Sequence, residues 1–171
     1  MSLIKTITTL IICCLFITTL AYAKTAKDYY NSGVQKGESG DWNGAIGDFN
    51  KAIELAPNDT EVYYNRGIAK GALGNYKGAM EDFNKAIELS HNNADAYNNR
   101  GVTKGFLGDW SGAIEDFNKS IELAPNNADV YSNRGFAKIA LGQKDSGCLD
   151  LSKAGELGYA EAHETIKKYC N

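Results

Sequence analysis

The stretch Asp82-Phe83-Asn84-Lys85-Ala86-Ile87-Glu88-Leu89 occurs nearly unchanged at Asp48-Phe49-Asn50-Lys51-Ala52-Ile53-Glu54-Leu55 and at Asp116-Phe117-Asn118-Lys119-Ser120-Ile121-Glu122-Leu123. Successive copies are 34 residues apart, and the triplets Asn65-Arg66-Gly67, Asn99-Arg100-Gly101 and Asn133-Arg134-Gly135 keep the same period. A fixed repeat of this length marks stacked supersecondary units, none of which can bury its apolar face alone. It decides the architecture before any single residue is considered.

Ala26, Thr60, Ala94 and Ala128 each open a unit. Position 4 of the unit is then Tyr29, Tyr63, Tyr97 and Tyr131, and position 8 is Gly33, Gly67, Gly101 and Gly135. Position 20 is Ala45, Ala79, Ala113 and Gly147, and position 24 is Phe49, Phe83, Phe117 and Leu151. Small residues at 8 and 20 let two antiparallel helices approach closely, while the large rings at 4 and 24 fill the flanks. An interior glycine costs about 1 kcal/mol of helix propensity against alanine, so its recurrence points to packing. Gly74-Asn75 and Gly108-Asp109 break each unit in the middle, and Pro57 and Pro125 stop the second helix. First helices are expected near 27–39, 60–73, 94–107 and 128–141, and second helices near 42–55, 76–89, 110–123 and 144–157.

This pattern resembles the tetratricopeptide repeat, with its aromatic at 4, Gly at 8, Ala at 20, aromatic at 24 and Pro at 32 (Pro57, Pro125). The resemblance implies an all-α, right-handed superhelical solenoid of antiparallel helix pairs. Its units are 26–59, 60–93, 94–127 and a degenerate 128–161. The chain departs from the family at Arg66, Arg100 and Arg134, where Leu is frequent, and at Lys36, Lys70, Lys104 and Lys138, where Tyr is usual.

Residues 1–23 read differently from the rest. Lys5 is their only charge, an apolar run extends from Ile7 to Leu20, and Ala21-Tyr22-Ala23 supplies small residues where a signal peptidase inspects the chain. A secretory signal peptide cleaved before Lys24 is expected, giving a periplasmic or secreted protein. An uncleaved membrane anchor is the alternative. Ile12 and Cys13 stand where a lipid-modified cysteine needs a small residue before it, so Cys13 and Cys14 do not read as a lipoprotein site. Cleavage would remove one positive charge and take the formal charge from −3 to −4. A mildly acidic chain without a basic cluster has no electrostatic grip on nucleic acid or an anionic membrane.

A solenoid needs its last apolar face covered. Over 160–170, Ala162, Ile166 and Cys170 recur every fourth residue among Glu161, Glu164, Lys167 and Lys168, as in an amphipathic capping helix. The words from Lys153 to Ala162 also resemble Sel1-type repeats. Cys148 lies ten residues before Gly158 and Cys170 twelve after it, so antiparallel packing at about 1.5 Å per residue brings them nearly level. A disulfide is expected in an oxidising compartment; a buried Cys148 with a free Cys170 is the alternative.

Little in the chain reads as catalysis. His91 sits where two other units have Pro, His163 sits on the cap, and neither has a partner at ligand spacing. Gly71-Ala72-Leu73-Gly74 lacks the Lys and Ser/Thr of a phosphate-binding loop. No cofactor, metal site or catalytic centre is expected. The repeated Asp48, Asp82, Asp116 and Asp150 suggest structure. Since Arg is missing only from the first unit, as Ser32, each Arg is expected to pair with the Asp of the unit before it: Asp48 with Arg66, Asp82 with Arg100, Asp116 with Arg134.

Position 6 is Asn31, Asn65, Asn99 and Asn133, on the helix that lines the concave face in the family. An amide both donates and accepts, so a regular row can bond the backbone of an extended peptide without reading its side chains. The row resembles the asparagine ladder of the O-GlcNAc transferase superhelix, which implies a polypeptide ligand; the alternative is that each Asn braces its own repeat. Beside the row lie Tyr30, Tyr64 and Asn98 at position 5, and Val34, Ile68, Val102 and Phe136 at position 9. Position 2 is Lys27 and then Glu61, Asp95 and Asp129. Chaperone-binding members of the family present cations to a terminal carboxylate; this acidic edge suits a neutral or basic segment instead. The expected function is a non-catalytic exported scaffold that binds an extended protein segment. Self-assembly, or a cell-wall or carbohydrate-associated role like that of Sel1-type proteins, is the alternative.

Overall fold

The structure is a computed structural model and describes residues 24–170; the signal-peptide reading of 1–23 lies outside the described residues. Among these there are nine α-helices and no strand. In chain order they are α1 (Ala26–Glu38), α2 (Trp42–Leu55), α3 (Thr60–Ala72), α4 (Tyr76–Leu89), α5 (Ala94–Phe106), α6 (Trp110–Leu123), α7 (Ala128–Ala140), α8 (Lys144–Glu156) and α9 (Ala162–Tyr169). Each expected helix boundary falls within one residue of the observed one, apart from the start of the cap.

Local chemistry sets these ends. Gly40, Gly74, Gly108 and Gly142 close the first helices at φ between 75° and 85°, a left-handed conformation that side chains rarely adopt. The next residue caps the second helix: Asp41, Asn75 and Asp109 accept the amide N–H of Gly44, Gly78 and Gly112. Thr25 and Asp28 form a reciprocal capping box at the start of α1.

Within each hairpin the glycine at position 8 lies under the ring at position 24. A Cβ on Gly67 would sit 2.8 Å from a ring carbon of Phe83, and one on Gly101 2.7 Å from Phe117. In the fourth unit the same Cβ on Gly135 would meet the Gly147 carbonyl at 2.9 Å, so Leu151 replaces a phenylalanine where the backbones themselves close up. Phe49, Phe83, Phe117 and Leu151 are buried, as are Ala45, Ala79 and Ala113, and the core is divided into successive small clusters along the stack.

The units stack in sequence order, each second helix packing on the next first helix. First helices of successive units also touch one another, α1 on α3, α3 on α5 and α5 on α7, without an equally extensive counterpart among the second helices. The stack therefore curves with its first helices on the inner wall. The helix α9 packs on α8 as the cap. There Cys148 and Cys170 stand with Cα atoms 5.8 Å apart and sulfurs at bonding distance, 2.03 Å.

The expected Arg–Asp pairing is corrected. Arg66 holds Asp82, Arg100 holds Asp116 and Arg134 holds Asp150, each through Nε and Nη2 at 2.6–2.9 Å. The aspartate belongs to the same unit, not the one before. What reaches back across the junction is Nη1, which donates to Asn50, Asn84 and Asn118 at 2.7–2.8 Å. Lys70, Lys104 and Lys138 add a second cation to each aspartate at 2.7–2.8 Å. The geometric reason is that an antiparallel hairpin brings level the residues equidistant from its turn. Arg66 and Asp82 each lie eight residues from Gly74.

Candidate peptide-binding groove

The inner wall presents the asparagine row, and its amides are partly committed. Asn65 Nδ2 donates to the Tyr30 hydroxyl at 3.3 Å and to the Glu61 carbonyl at 2.9 Å. Asn99 Nδ2 donates to the Tyr64 hydroxyl at 2.9 Å, and Asn133 Nδ2 to Asn98 Oδ1 at 3.1 Å. Position 6 of one unit thus grips position 5 of the preceding unit, stitching neighbouring first helices together. Asn31 has no preceding unit to grip among the described residues and is exposed. Tyr30, Tyr64 and Asn98 act as acceptors of the row, and these bonds leave the Oδ1 atoms of Asn65, Asn99 and Asn133 without a partner among the described residues.

The electrostatics beside the row are acidic. Burial pushes the Tyr64 hydroxyl above its ordinary pKa, and the Asp95 and then Glu61 carboxylates add to the shift against the opposing Asn99 bond. Burial raises Tyr30 in the same way, helped by Glu61 and Asp59. Glu61, Asp95 and Asp129 are exposed along this edge.

Two recesses open on the inner wall at equivalent junctions. The first, about 240 Å³, lies between the first and second units and is lined by Val34, Gly37, Glu38, Trp42, Asn65 and Ile68 over a floor of Phe49. The second, about 140 Å³, lies between the third and fourth and is lined by Val102, Gly105, Phe106, Trp110, Asn133 and Phe136 over Phe117. All four position-9 residues named from the sequence (Val34, Ile68, Val102, Phe136) therefore reach a recess, together with Asn65 and Asn133.

Sequence reasoning missed Glu38, Trp42, Phe106 and Trp110. The available signal was a pair: Trp at position 17 stands five residues after Gly at position 12 in the first and third units only. A Cβ on Gly37 or Gly105 would lie 3.3 or 2.8 Å from the tryptophan ring, so glycine there makes room for the indole. In the second unit Tyr76 takes that position and stacks on Phe106, with centroids 4.8 Å apart and rings 6° from parallel. At the far end Phe136 meets the cap, edge-on to Tyr169 at 5.6 Å.

Among the described residues, no group of three His, Cys, Asp or Glu side chains could hold a metal ion, and no helix is long and apolar enough to cross a membrane.

Comparison with known proteins fits this geometry. A profile described as TPR repeat matches residues 38–74 and 71–104, and one described as tetratricopeptide repeat matches 94–127. No curated protein matches the chain. Among solved structures, that of MamA is 26% identical, with 89% of this chain and 86% of that one covered at a TM-score of 0.76. A MamA fragment from Desulfovibrio magneticus RS-1 is 26% identical, covering 80% and 77%, at a TM-score of 0.74. The first TPR of Spaghetti (RPAP3), bound to the HSP90 peptide SRMEEVD, is 25% identical, covering 69% and 94%, at 0.68. Such folds are protein-interaction scaffolds. With its repeat matches running from 38 to 127, its helix hairpins in register and these neighbours, the chain belongs to the tetratricopeptide repeat family.

Proposed function

We propose that the chain is a non-catalytic exported scaffold that holds an extended segment of another protein against its inner wall. The observation that carries this reading is the inner wall itself: amide oxygens, apolar position-9 side chains and two recesses follow one another along a single curved face. The RPAP3 repeat domain, solved with a bound peptide, supports it by example. That peptide is acidic, whereas this wall is edged by Glu61, Asp95 and Asp129, so a neutral or basic segment suits it.

Capture from a periplasmic extract tests the reading, comparing wild type with Ile68→Glu/Val102→Glu and with Glu81→Lys on an exposed position outside the groove. Partners held by the wild type and by Glu81→Lys are expected to be lost by the inner-wall variant. Equal recovery by all three overturns the groove.

Export is part of the same proposal. It rests on the signal-like residues 1–23 and on the Cys148–Cys170 pair, which an oxidising compartment would keep bonded. Protein recovered from a periplasmic fraction should begin at Lys24 and titrate no free thiol after unfolding without reductant. A retained Met1, or two free thiols, argues against export.

A further inference from the structure

The two recesses have the same construction and different rims. Each has a tryptophan from position 17 laid against a position-12 glycine, a phenylalanine floor, and an asparagine contributed by the following unit. At position 13 the rim of the first carries Glu38, and the rim of the second carries Phe106. Glu38 is exposed beside a half-buried indole face, which is the pairing that receives a guanidinium or ammonium group: a carboxylate for the charge and a ring for the alkyl stem and cation. Phe106 is 65% exposed and Trp110 37%, with Val102 and Phe136 completing an apolar socket suited to an aromatic or large aliphatic side chain.

We propose that the groove reads its ligand through two anchors, a Lys or Arg seated between Glu38 and Trp42 and a large apolar side chain seated between Phe106, Trp110 and Phe136. This rests on the groove reading above and names the occupant: an extended, net-basic segment of a partner protein. Charge complementarity selects it, because Glu38 is exposed at the first recess and Glu61, Asp95 and Asp129 are exposed at position 2 of the three first helices that follow. The spacing follows from packing. First helices of successive units touch, so each junction advances about 8–10 Å, and the two recesses are two junctions apart. An extended chain rises about 3.3 Å per residue, which separates the anchors by about five or six residues.

The test uses residues 24–171 and labelled, end-blocked peptides of a Gly/Ser/Thr background carrying one Arg and one Phe, in both orders. Wild type is expected to bind the peptide with its anchors about five or six positions apart roughly tenfold more tightly than peptides with Arg→Glu, with Phe→Ser, or with the anchors two apart. Glu38→Lys should erase the Arg-over-Glu preference and keep the Phe-over-Ser preference; Phe106→Ser should do the reverse. Both residues are exposed, and thermal melts monitored by helical signal check that the variants remain folded. The inference is overturned if all peptides bind alike, if none binds, or if each variant alters both preferences equally. It is also overturned if the chain self-associates, Phe106→Ser makes it monomeric and no peptide competes, since the socket then holds a second copy. Failure here with the Ile68→Glu/Val102→Glu capture result intact leaves the groove standing without these anchors; failure of both removes the groove as well.

Discussion

The first unit and the inner units solve the same electrostatic problem with different residues. In each, an aspartate on the second helix is nearly buried: Asp48 is 7% exposed, Asp82 2% and Asp116 4%. Inner units neutralise it with an arginine that binds both oxygens, stacks 5.4 Å over the Tyr63 or Tyr97 ring of its own helix and reaches back to Asn50 or Asn84. The first unit uses Ser32 and Lys36, both on Asp48 Oδ2 at 2.6 Å. Among the described residues no repeat unit precedes the first, so an arginine there has no earlier hairpin to grip. A buried carboxylate thus needs a partner in any unit, whereas an arginine is called for only where a junction exists. One side chain closes its own hairpin and ties it to the hairpin before.

If so, the largest effect belongs to the inner arginine. Arg100→Ala leaves Asp116 with Lys104 alone and opens the junction with the second unit. The expected loss is about 3 kcal/mol, the scale for removing one partner of a buried pair. Urea denaturation followed by circular dichroism measures it, and a loss below about 1 kcal/mol would return the pair to the rank of a surface ion pair.

Double-mutant cycles locate the coupling. Arg100 with Asp116 should couple by well over 1 kcal/mol, whereas Arg100 with Asp82 should be additive within about 0.5 kcal/mol. Strong coupling to Asp82 would restore the pairing across the junction and contradict the observed geometry. Asn84→Ala, which removes an exposed acceptor from Arg100 Nη1, should cost about 0.5–1 kcal/mol and couple to Arg100 alone. Ser32→Ala in the first unit should cost about 1 kcal/mol, since Lys36 still holds Asp48.

Why the sequence yielded the helices and misassigned the arginines is a matter of geometry. Helix ends are written locally, in Gly74-Asn75 and Gly108-Asp109, and a 34-residue period repeats each signal until it cannot be missed. A period says nothing about whether a contact lies within a unit or between units, because both recur identically. The count about the turn does decide it. Cys148 and Cys170 come level on the two sides of Gly158, and the same count about Gly108 puts Arg100 opposite Asp116. The recesses of the inner wall were legible at position 9, where apolar residues stand on the first helix of each unit. Their tryptophans were not, because Trp42 and Trp110 come from second helices and enter the wall where Gly37 and Gly105 give way.

The smallest effect concerns pH and the aspartate of the first unit. Burial alone would raise the Asp48 carboxyl, but the Lys36 bond and then the Ser32 bond outweigh it and hold the carboxyl below its ordinary value. A folded-state pKa lowered beneath the unfolded one contributes stability in full above about pH 4, and that contribution disappears as pH falls through the folded value. Lys36 is 39% exposed, so solvent screens its pair, and Lys36→Met should cost only a few tenths of a kcal/mol at pH 7. Urea midpoints of wild type and Lys36→Met should therefore differ slightly at pH 7 and converge on acidification below about pH 4. A gap that persists unchanged at low pH would mean that the lysine acts through its alkyl stem and not through the carboxylate. The first hairpin would then be held by Ser32 and packing, without the charge neutralisation that the inner hairpins use.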